Sequence, residues 1–217
     1  MEKYLKNYGK WIVAGLCVLI FILFCINLVN NKLTFLDTTI YQFVINFKSH
    51  FLTSFMKFIT SWSSVPILIL LELVSMFVLK TKKNRIFVGI NLFIVLLINT
   101  LLKISFGRAR PIELMLIEES GYSFPSAHAM VSLAFYGLFI YLLWQKNYSK
   151  KVKAVGTIIL TIFIMLIGVS RIYLGVHYAS DVMAGFVLSL AYLIVYIEVF
   201  NKIYKERKDR NEKRKTS

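Results

Sequence analysis

Two histidines and an aspartate carry the spacing that acid–base or nucleophilic chemistry would need. His177 and Asp181 lie four residues apart, so on a helix they would share one face and stand one turn from each other. A carboxylate in that position can hold one imidazole nitrogen and leave the other free to attack or to donate a proton. His128 has no carboxylate close to it in the sequence, which suits a general acid.

Three cations accompany these histidines: Lys103, Arg110 and Arg171. Arginine forks match phosphate oxygens two at a time, and lysine adds a point charge. Ser126 follows Pro125 at a predicted helix start, where free backbone N–H groups and the helix dipole favour an anion. We therefore predict a phosphate site, at which one histidine attacks phosphorus and the other protonates the departing oxygen.

Two alternatives involve no catalysis. Glu113, Glu118 and Glu119 lie in the same loop as Arg110 and could neutralise some of the cations through salt bridges. The polar residues of 170–181 could also form no more than a polar cap on two membrane helices. Two histidines beside three cations favour catalysis over both alternatives.

The elements that must position these residues are predicted to be membrane helices. The chain has 217 residues, of which 58% are hydrophobic, and several apolar runs approach the length of about 20 residues that spans a bilayer. We therefore predict an all-α integral membrane protein, with residues 1–217 forming a single domain. The six predicted transmembrane helices cover 11–29, 65–79, 86–102, 125–144, 154–170 and 182–200. Glu72 lies inside the second of them, where a hydrogen bond to a neighbouring helix is as good an explanation as a functional role.

Residues 33–63 have a helical period with an aromatic-rich face. Either an interfacial amphipathic helix, whole or broken, or a surface helix packed on the bundle satisfies this pattern. The residues that recur every three or four positions are Leu36, Ile40, Phe43, Phe47, Phe51, Phe55, Phe58 and Trp62.

The net charge of +15 would suggest a nucleic-acid-binding protein if the chain were soluble. Here 19 of the 26 lysines and arginines lie in the amino end, two short loops and the tail, all on one side of the predicted bundle. The positive-inside bias makes that side cytoplasmic, with both termini, and we expect no nucleic-acid partner because no basic stripe stands apart from the membrane segments. The polar clusters with the histidines then face outward. We predict that the charged tail, 201–217, is frayed or disordered beyond its first turns.

Three segments resemble the signature motifs of the type 2 phosphatidic acid phosphatase (PAP2) superfamily. They are KISFGRARP at 103–111, PSAH at 125–128 and SRIYLGVHYASD at 170–181. The family patterns are K-x6-R-P, P-S-G-H and S-R-x5-H-x3-D, and they occur in this order on a bundle of six spans. The resemblance covers nearly the whole chain and implies a PAP2-like helical bundle in the cell membrane.

The resemblance implies a role for each matched residue. His177 would become a phosphohistidine, Asp181 would orient it, and His128 would act as the acid and then as the base for water. The family is metal-independent, so neither a metal nor a cofactor is expected. The residues implied to bind the phosphate are Lys103, Arg110, Ser126, Ala127 and Arg171.

The second motif departs from the family at Ala127, where glycine is usual. Alanine keeps the backbone N–H, so contact with phosphate can survive. If the position needed a left-handed backbone, alanine would cost roughly 1 kcal/mol there. At a helix start it costs little, and we expect activity to be retained.

The function implied is the hydrolysis of a phosphate or diphosphate on a lipid whose tail lies in the bilayer. In a bacterium the resemblance suggests undecaprenyl diphosphate or phosphatidylglycerophosphate. Two alternatives stay open at this point, a lipid-linked phosphotransferase that uses the same phosphohistidine and a non-catalytic anion transporter. The sequence does not indicate the oligomeric state.

Overall fold

The computed structural model describes residues 2–216, with side chains for 8–210 and 212. The described chain folds into helices and connecting turns without strands, so the prediction of an all-α integral membrane protein is confirmed. The helices are α1 (Glu2–Val29), α2 (Thr34–Ile45), α3 (His50–Ser61), α4 (Val65–Val78), α5 (Lys82–Phe106), α6 (Ala127–Trp144), α7 (Lys150–Tyr173) and α8 (Ala179–Thr216), with a 3₁₀ turn at Ile112–Leu114.

Five of the described helices are long and apolar enough to cross a bilayer. The predicted second span, 65–79, corresponds to α4, whose 14 residues reach only about 21 Å at 1.5 Å per residue. A bilayer core is about 30 Å thick, so α4 alone is too short. A sixth span results if α3 and α4, bent by 51° at their junction, cross together as one broken helix.

The segment predicted at 33–63 is a broken helix, formed by α2 and α3. Ser49 begins α3, where its Oγ accepts a hydrogen bond from the backbone N–H of Leu52 (3.1 Å). The bundle side of the two helices carries buried Asp37, Met56 and Thr60. The aromatic side chains of the predicted stripe are exposed instead, at Phe43, Phe47, Phe51, Phe55 and Phe58.

The carboxyl-terminal tail is helical, and the prediction of a frayed or disordered tail is wrong. α8 continues without a break from its membrane segment to Thr216. The lysine, arginine and glutamate residues of the tail favour a helix intrinsically. Lys208 and Glu212 add an ion pair one turn apart, with 3.7 Å between Nζ and Oε1.

The central helix α6 packs on α5, α7 and α8. It buries Met130, Ala134, Leu138 and Leu142, which recur every four residues along one face. The helices α5, α6, α7 and α8 alternate in direction, with a long loop at 107–126 between α5 and α6 and short connections between the others. The carboxyl ends of α5 and α7 and the amino ends of α6 and α8 therefore meet at one end of the bundle, where all three motifs lie.

Glu72 lies on the buried face of α4 and is 7% exposed. Neither of its carboxylate oxygens has a hydrogen-bond partner among the described residues. A Cβ added to Gly89 of α5 would lie 3.2 Å from Glu72 Oε1, so α5 passes directly beside the carboxylate. The hydrogen bond to a neighbouring helix, one of the two explanations considered for Glu72, is thus not formed among the described residues.

Candidate active site

The turn between α7 and α8 presents His177, and it depends on Gly175. This glycine has φ +67°, and a Cβ on it would lie 1.9 Å from the carbonyl oxygen of Leu114. Only glycine fits there without moving the backbone. Next to it, the N–H of Leu116 donates to the carbonyl of Leu174 (2.9 Å), which fixes the turn against the loop that follows the first motif.

The carboxylate of Asp181 is held in the first turn of α8. Its Oδ2 accepts hydrogen bonds from the backbone N–H of Tyr178 (2.9 Å) and from the hydroxyl of Ser123 (2.5 Å). Its Oδ1 accepts from Nη1 of Arg108 (2.5 Å). The contact with Tyr178 follows the capping-box pattern, in which a side chain in the first turn reaches back to the first free N–H. The carboxylate is fully buried, and these contacts fix its position.

The His177 ring lies between Asp181 and Arg110. Nδ1 is 3.2 Å from Ser123 Oγ and 3.4 Å from Asp181 Oδ2, and Nε2 is 3.1 Å from Arg110 Nη1. A guanidinium can only donate, so Nε2 must accept. We therefore assign the proton to Nδ1, on the side of Ser123 and Asp181. The lone pair of Nε2 then points toward the cations.

Burial and nearby charge keep His177 neutral. Loss of solvation in its fully buried position lowers the pKa of His177 well below the ordinary value, and the charges of Arg171, Arg110 and Lys103 lower it further. Burial also lowers the pKa of Arg110, while Glu119 and Asp181 oppose this effect. Arginine titrates so high that Arg110 stays charged.

Lys103 and Arg110 hold the loop that precedes the second motif. Lys103 Nζ, near the end of α5, donates to the carbonyls of Tyr122 and Ser123. Arg110 donates through Nε to the carbonyl of Gly121 (2.9 Å) and through Nη1 to that of Val176 (2.8 Å). Both cations therefore connect separate parts of the site.

Arg171 is buried at the end of α7 and pairs with an acid. Its Nη1 donates to Thr60 Oγ1 (2.8 Å), and its Nη2 bonds to Glu119 Oε2. Arg110 Nη2 lies 3.9 Å from the other oxygen of the same carboxylate. The expected neutralisation by a loop acid thus occurs at Glu119. Among the described residues, the exposed Glu113 and Glu118 form no ion pair.

The second motif forms the start of α6. Ser126 is the cap residue, one position after the predicted start at Pro125, and its N–H donates to the carbonyl of Asp181 (3.1 Å). Its hydroxyl oxygen is buried and has no partner among the described residues. Ala127 and His128 follow in the first turn. His128 is half-buried and lies close enough for electrostatic interaction with Arg171, His177, Arg110 and Lys103.

Four residues of this site were not singled out from the sequence. Arg108 occupies an unspecified position of the first motif, and Ser123 lies two residues before the second, so both could have been considered. Ser180 precedes Asp181 directly. Asp37 lies on α2, and nothing in the local sequence connects it with the motifs.

A cavity of about 560 Å³ adjoins His177 between α1, α2 and the first-motif loop. Its wall includes the polar side chains of Asn31, Thr34, Gln42 and Tyr178. Within the described chain, no group of three or more His, Cys, Asp and Glu residues is placed to hold a metal ion.

Two curated relatives align with part of the chain. Phosphatidylglycerophosphatase B of Bacillus subtilis (strain 168) is 40% identical over 95 residues, which is 43% of this chain and 47% of that protein. Sphingosine-1-phosphate phosphatase 1 of Rattus norvegicus is 34% identical over 100 residues, 43% of this chain and 23% of the rat protein. The alignments thus span less than half the length of these relatives.

Solved structures extend the comparison to the fold. The crystal structure of a transmembrane PAP2 type phosphatidylglycerolphosphate phosphatase from Bacillus subtilis superposes with a TM-score of 0.80 at 27% identity, over 88% of this chain and 96% of that one. Aquifex aeolicus LpxE superposes with a TM-score of 0.61 at 22% identity, over 75% of this chain and 95% of that one, and shows a shared fold. The model of the PAP2 superfamily matches residues 85–205, which is more than half of the sequence and includes all three motifs, and the chain therefore belongs to the PAP2 superfamily.

Proposed function

We propose that the protein is a membrane lipid phosphatase that works through a phosphohistidine on His177. One relationship carries this proposal. The Nδ1 side of the ring faces the fixed carboxylate of Asp181, and the Nε2 side faces the Arg110 guanidinium. The orientation leaves a neutral nitrogen lone pair directed toward cations that can bind phosphate oxygens.

In the first step, Nε2 of His177 attacks phosphorus and the bond from phosphorus to the lipid oxygen breaks. The ring becomes positive as the new P–N bond forms, and Asp181 stabilises that charge across the Nδ1–H bond. His128 enters this step protonated and gives its proton to the departing oxygen. The negative charge of the bound phosphate favours that protonated form of His128.

In the second step, neutral His128 takes a proton from water, and the resulting hydroxide attacks phosphorus. The P–N bond breaks, its electron pair returns to Nε2, and inorganic phosphate leaves. Both steps gather negative charge on the phosphoryl oxygens. Lys103, Arg110 and Arg171, with the N–H groups at the start of α6, would bind that charge. The unpartnered buried hydroxyl of Ser126 supports a place for it in the same site.

Phosphatidylglycerophosphate is the first substrate to test. The names of the Bacillus relative and of the Bacillus structure both refer to that lipid. The cavity beside His177 is large enough for a lipid head group, and its mainly apolar wall carries several polar side chains. Undecaprenyl diphosphate is the second candidate, because the same chemistry applies to a diphosphate.

We place the site at the outer face of the cell membrane. All three motifs lie at one end of the bundle, and most lysines and arginines lie at the other end and in the tail. By the positive-inside bias, the end rich in lysine and arginine is cytoplasmic. A lipid could then present its phosphate to the site while its tail remains in the outer leaflet.

Phosphate release from a lipid panel tests this function. The panel contains phosphatidylglycerophosphate, undecaprenyl diphosphate, phosphatidic acid and a soluble short-chain diphosphate, each given to the purified protein in detergent. We expect release from at least one lipid and its loss in His177→Ala. His50→Ala is the matched control, because it removes the exposed third histidine at the start of α3. Near-normal release by His177→Ala would refute the mechanism, and no release from any lipid would refute the function.

A further inference from the structure

Asp37, a buried acid on α2, contacts the two residues that hold Asp181 in place, Arg108 and Ser180. Asp37 is 5% exposed. Its Oδ1 accepts a hydrogen bond from the N–H of Ser180 (2.8 Å). Its Oδ2 accepts from the hydroxyl of Ser180 (2.9 Å) and from Nη2 of Arg108 (2.7 Å). Ser180 immediately precedes Asp181, so Asp37 binds the backbone from which the second carboxylate projects.

The guanidinium of Arg108 lies between the two acids. Nη2 reaches Asp37 at 2.7 Å, and Nη1 reaches Asp181 Oδ1 at 2.5 Å. The same Nη1 donates to Ser180 Oγ (2.8 Å), and the guanidinium carbon lies 4.0 Å from the centre of the Tyr178 ring. Four residues therefore hold the guanidinium of Arg108, and Asp37 is the partner of Nη2.

The geometry separates this group from the chemistry. Within the described part of the chain, the hydrogen bonds and ion pair of the Asp37 carboxylate go to Arg108 and Ser180, and none goes to His177 or His128. Arg108 touches Asp181 directly, and Ser180 is joined to it through the chain. Asp37 also lines the cavity beside His177, so an effect through the position of Asp181 has to be distinguished from a direct contact with the lipid head group.

We propose that Asp37 is a positioning residue, which holds Asp181 against His177 through Arg108 and the first turn of α8. Buried charges need partners in good geometry, and removal of one partner leaves the others free to rearrange. Without Asp37, Arg108 keeps a single carboxylate partner and can shift with it. A displacement of about 1 Å at a reacting group can cost about 100-fold in rate. This proposal rests on the proposed function of His177.

A purely structural role makes a different prediction. If Asp37 only attached α2 to the bundle, its loss would lower the folded fraction and leave the folded molecules unchanged. A single-turnover experiment, with protein in excess over lipid, separates the two cases. Lipid is limiting under these conditions, so the rate constant at saturating protein follows the reactivity of each folded site, and a lower folded fraction leaves it unchanged.

The test is a double-mutant cycle of Asp37→Asn, Arg108→Gln and the double variant in the full-length protein. We expect Asp37→Asn to slow single-turnover phosphate release about 10- to 100-fold, with little change in inhibition by inorganic phosphate. The double variant should be about as slow as Arg108→Gln alone. Glu118→Gln is the matched control, since it removes an exposed carboxylate from the connecting loop, and it should react at the normal rate.

A second measurement does not require activity. Nitrogen-15 NMR of histidine-labelled protein reports which ring nitrogen of His177 carries the proton, and His50→Ala and His128→Ala assign the signals. We expect Asp37→Asn to reduce the share of the Nδ1–H form, and Glu118→Gln to leave it unchanged. Unchanged rate constants and an unchanged ring in Asp37→Asn would overturn the proposal, as would rate losses that multiply in the double variant. If Asp37→Asn changes which nitrogen of His177 carries the proton, but the parent protein releases no phosphate from any lipid, the positioning role stands and the proposed function is refuted.

Discussion

Arg110 Nη1 lies 3.1 Å from Nε2 of His177, so a guanidinium covers the nitrogen that would attack phosphorus. The same guanidinium is held by the carbonyls of Gly121 and Val176. A phosphate that approaches Nε2 must take the place of this contact, and its oxygens are better acceptors for a guanidinium than a ring nitrogen is. Arg110 would thus exchange His177 for substrate as the substrate binds.

Substitution of Arg110 by lysine tests this exchange. Lysine keeps the charge but loses the planar fork that spans Gly121, Val176 and the phosphate site. We expect kcat/KM for lipid phosphate to fall about 100-fold, the size found when one donor to a developing oxyanion is removed. Steady-state phosphate release measures it. A loss of less than about threefold would show that charge alone suffices at this position.

The activity should persist in mild acid. In the proposed mechanism the neutral form of His177 is the nucleophile, and burial together with Arg171, Arg110 and Lys103 holds the pKa of His177 well below 6.5. As the pH falls, activity should therefore be lost only through that lower pKa, so the acid limb of kcat/KM, which reports the ligand-free protein, lies below pH 6.5. Removal of a nearby positive charge by Arg110→Gln should raise the pKa of His177 and move the acid limb to higher pH.

A plot of log kcat/KM against pH measures the position of the acid limb in the parent protein and in Arg110→Gln. Lys208→Gln provides the control, since it removes an exposed cation far along the tail of α8. It should leave the acid limb in place. An acid limb that moves to lower pH in Arg110→Gln would contradict the assignment of this limb to His177.

Glu119 pairs with cations that are proposed to bind phosphate. Its carboxylate bonds to Arg171 and lies 3.9 Å from Arg110. We expect Glu119→Gln to bind inorganic phosphate about tenfold more tightly, because an occupied cation reduces the apparent affinity for the competing anion. The inhibition constant for phosphate is the measurement, with Glu118→Gln as control. Weaker binding in Glu119→Gln would mean that the acid holds Arg171 in place for the ligand.

The sequence predicted which motif residues lie together better than it predicted the residues that support them. The three motifs carry their own spacing, so the order of motifs and spans alone assigned Lys103, Arg110 and Arg171 to one end of the bundle. The one-turn separation of His177 and Asp181 likewise predicted a contact, and the atoms lie 3.4 Å apart. His177 lies in the turn before α8 and not on a helix, so the predicted contact is formed between that turn and the first turn of α8.

The contacts of the supporting residues join distant parts of the chain and cannot be predicted from helical periodicity. Asp37 meets Ser180 across 143 positions of the chain, and Thr60 meets Arg171 across 111. Both contacts depend on how α2 and α3 pack on α7 and α8. The prediction of a disordered tail was wrong for a local reason. The high charge of the tail suggested disorder, whereas its residues favour a helix. Helix propensity therefore predicts the structure of this tail better than its net charge does.

Asp181→Asn should reduce turnover severely while the fold survives. An asparagine can turn its amide N–H₂ toward Nδ1 and favour the wrong tautomer of His177, and the corresponding change in a serine protease triad costs about 10⁴-fold. We expect a loss of about 10³- to 10⁴-fold in kcat. Ser123→Ala removes one of the hydrogen bonds to the same carboxylate and should cost less, about tenfold. Phosphate release and thermal unfolding of both variants in detergent check this order, and a smaller loss in Asp181→Asn than in Ser123→Ala would reverse the assigned roles.

Ala127 occupies the position of the family glycine without backbone strain. It is the first residue of α6, and Asn31 is the one described non-glycine residue with a positive φ. A glycine is therefore not needed for the turn, and the N–H that could bind phosphate is present in either residue. We expect Ala127→Gly to keep kcat/KM within about twofold and to lower the free energy of unfolding by no more than about 1 kcal/mol, through the added freedom of the unfolded chain. Phosphate release and chemical unfolding of the variant measure the two quantities. A gain of about tenfold in kcat/KM would show that the methyl group of Ala127 obstructs the phosphate site.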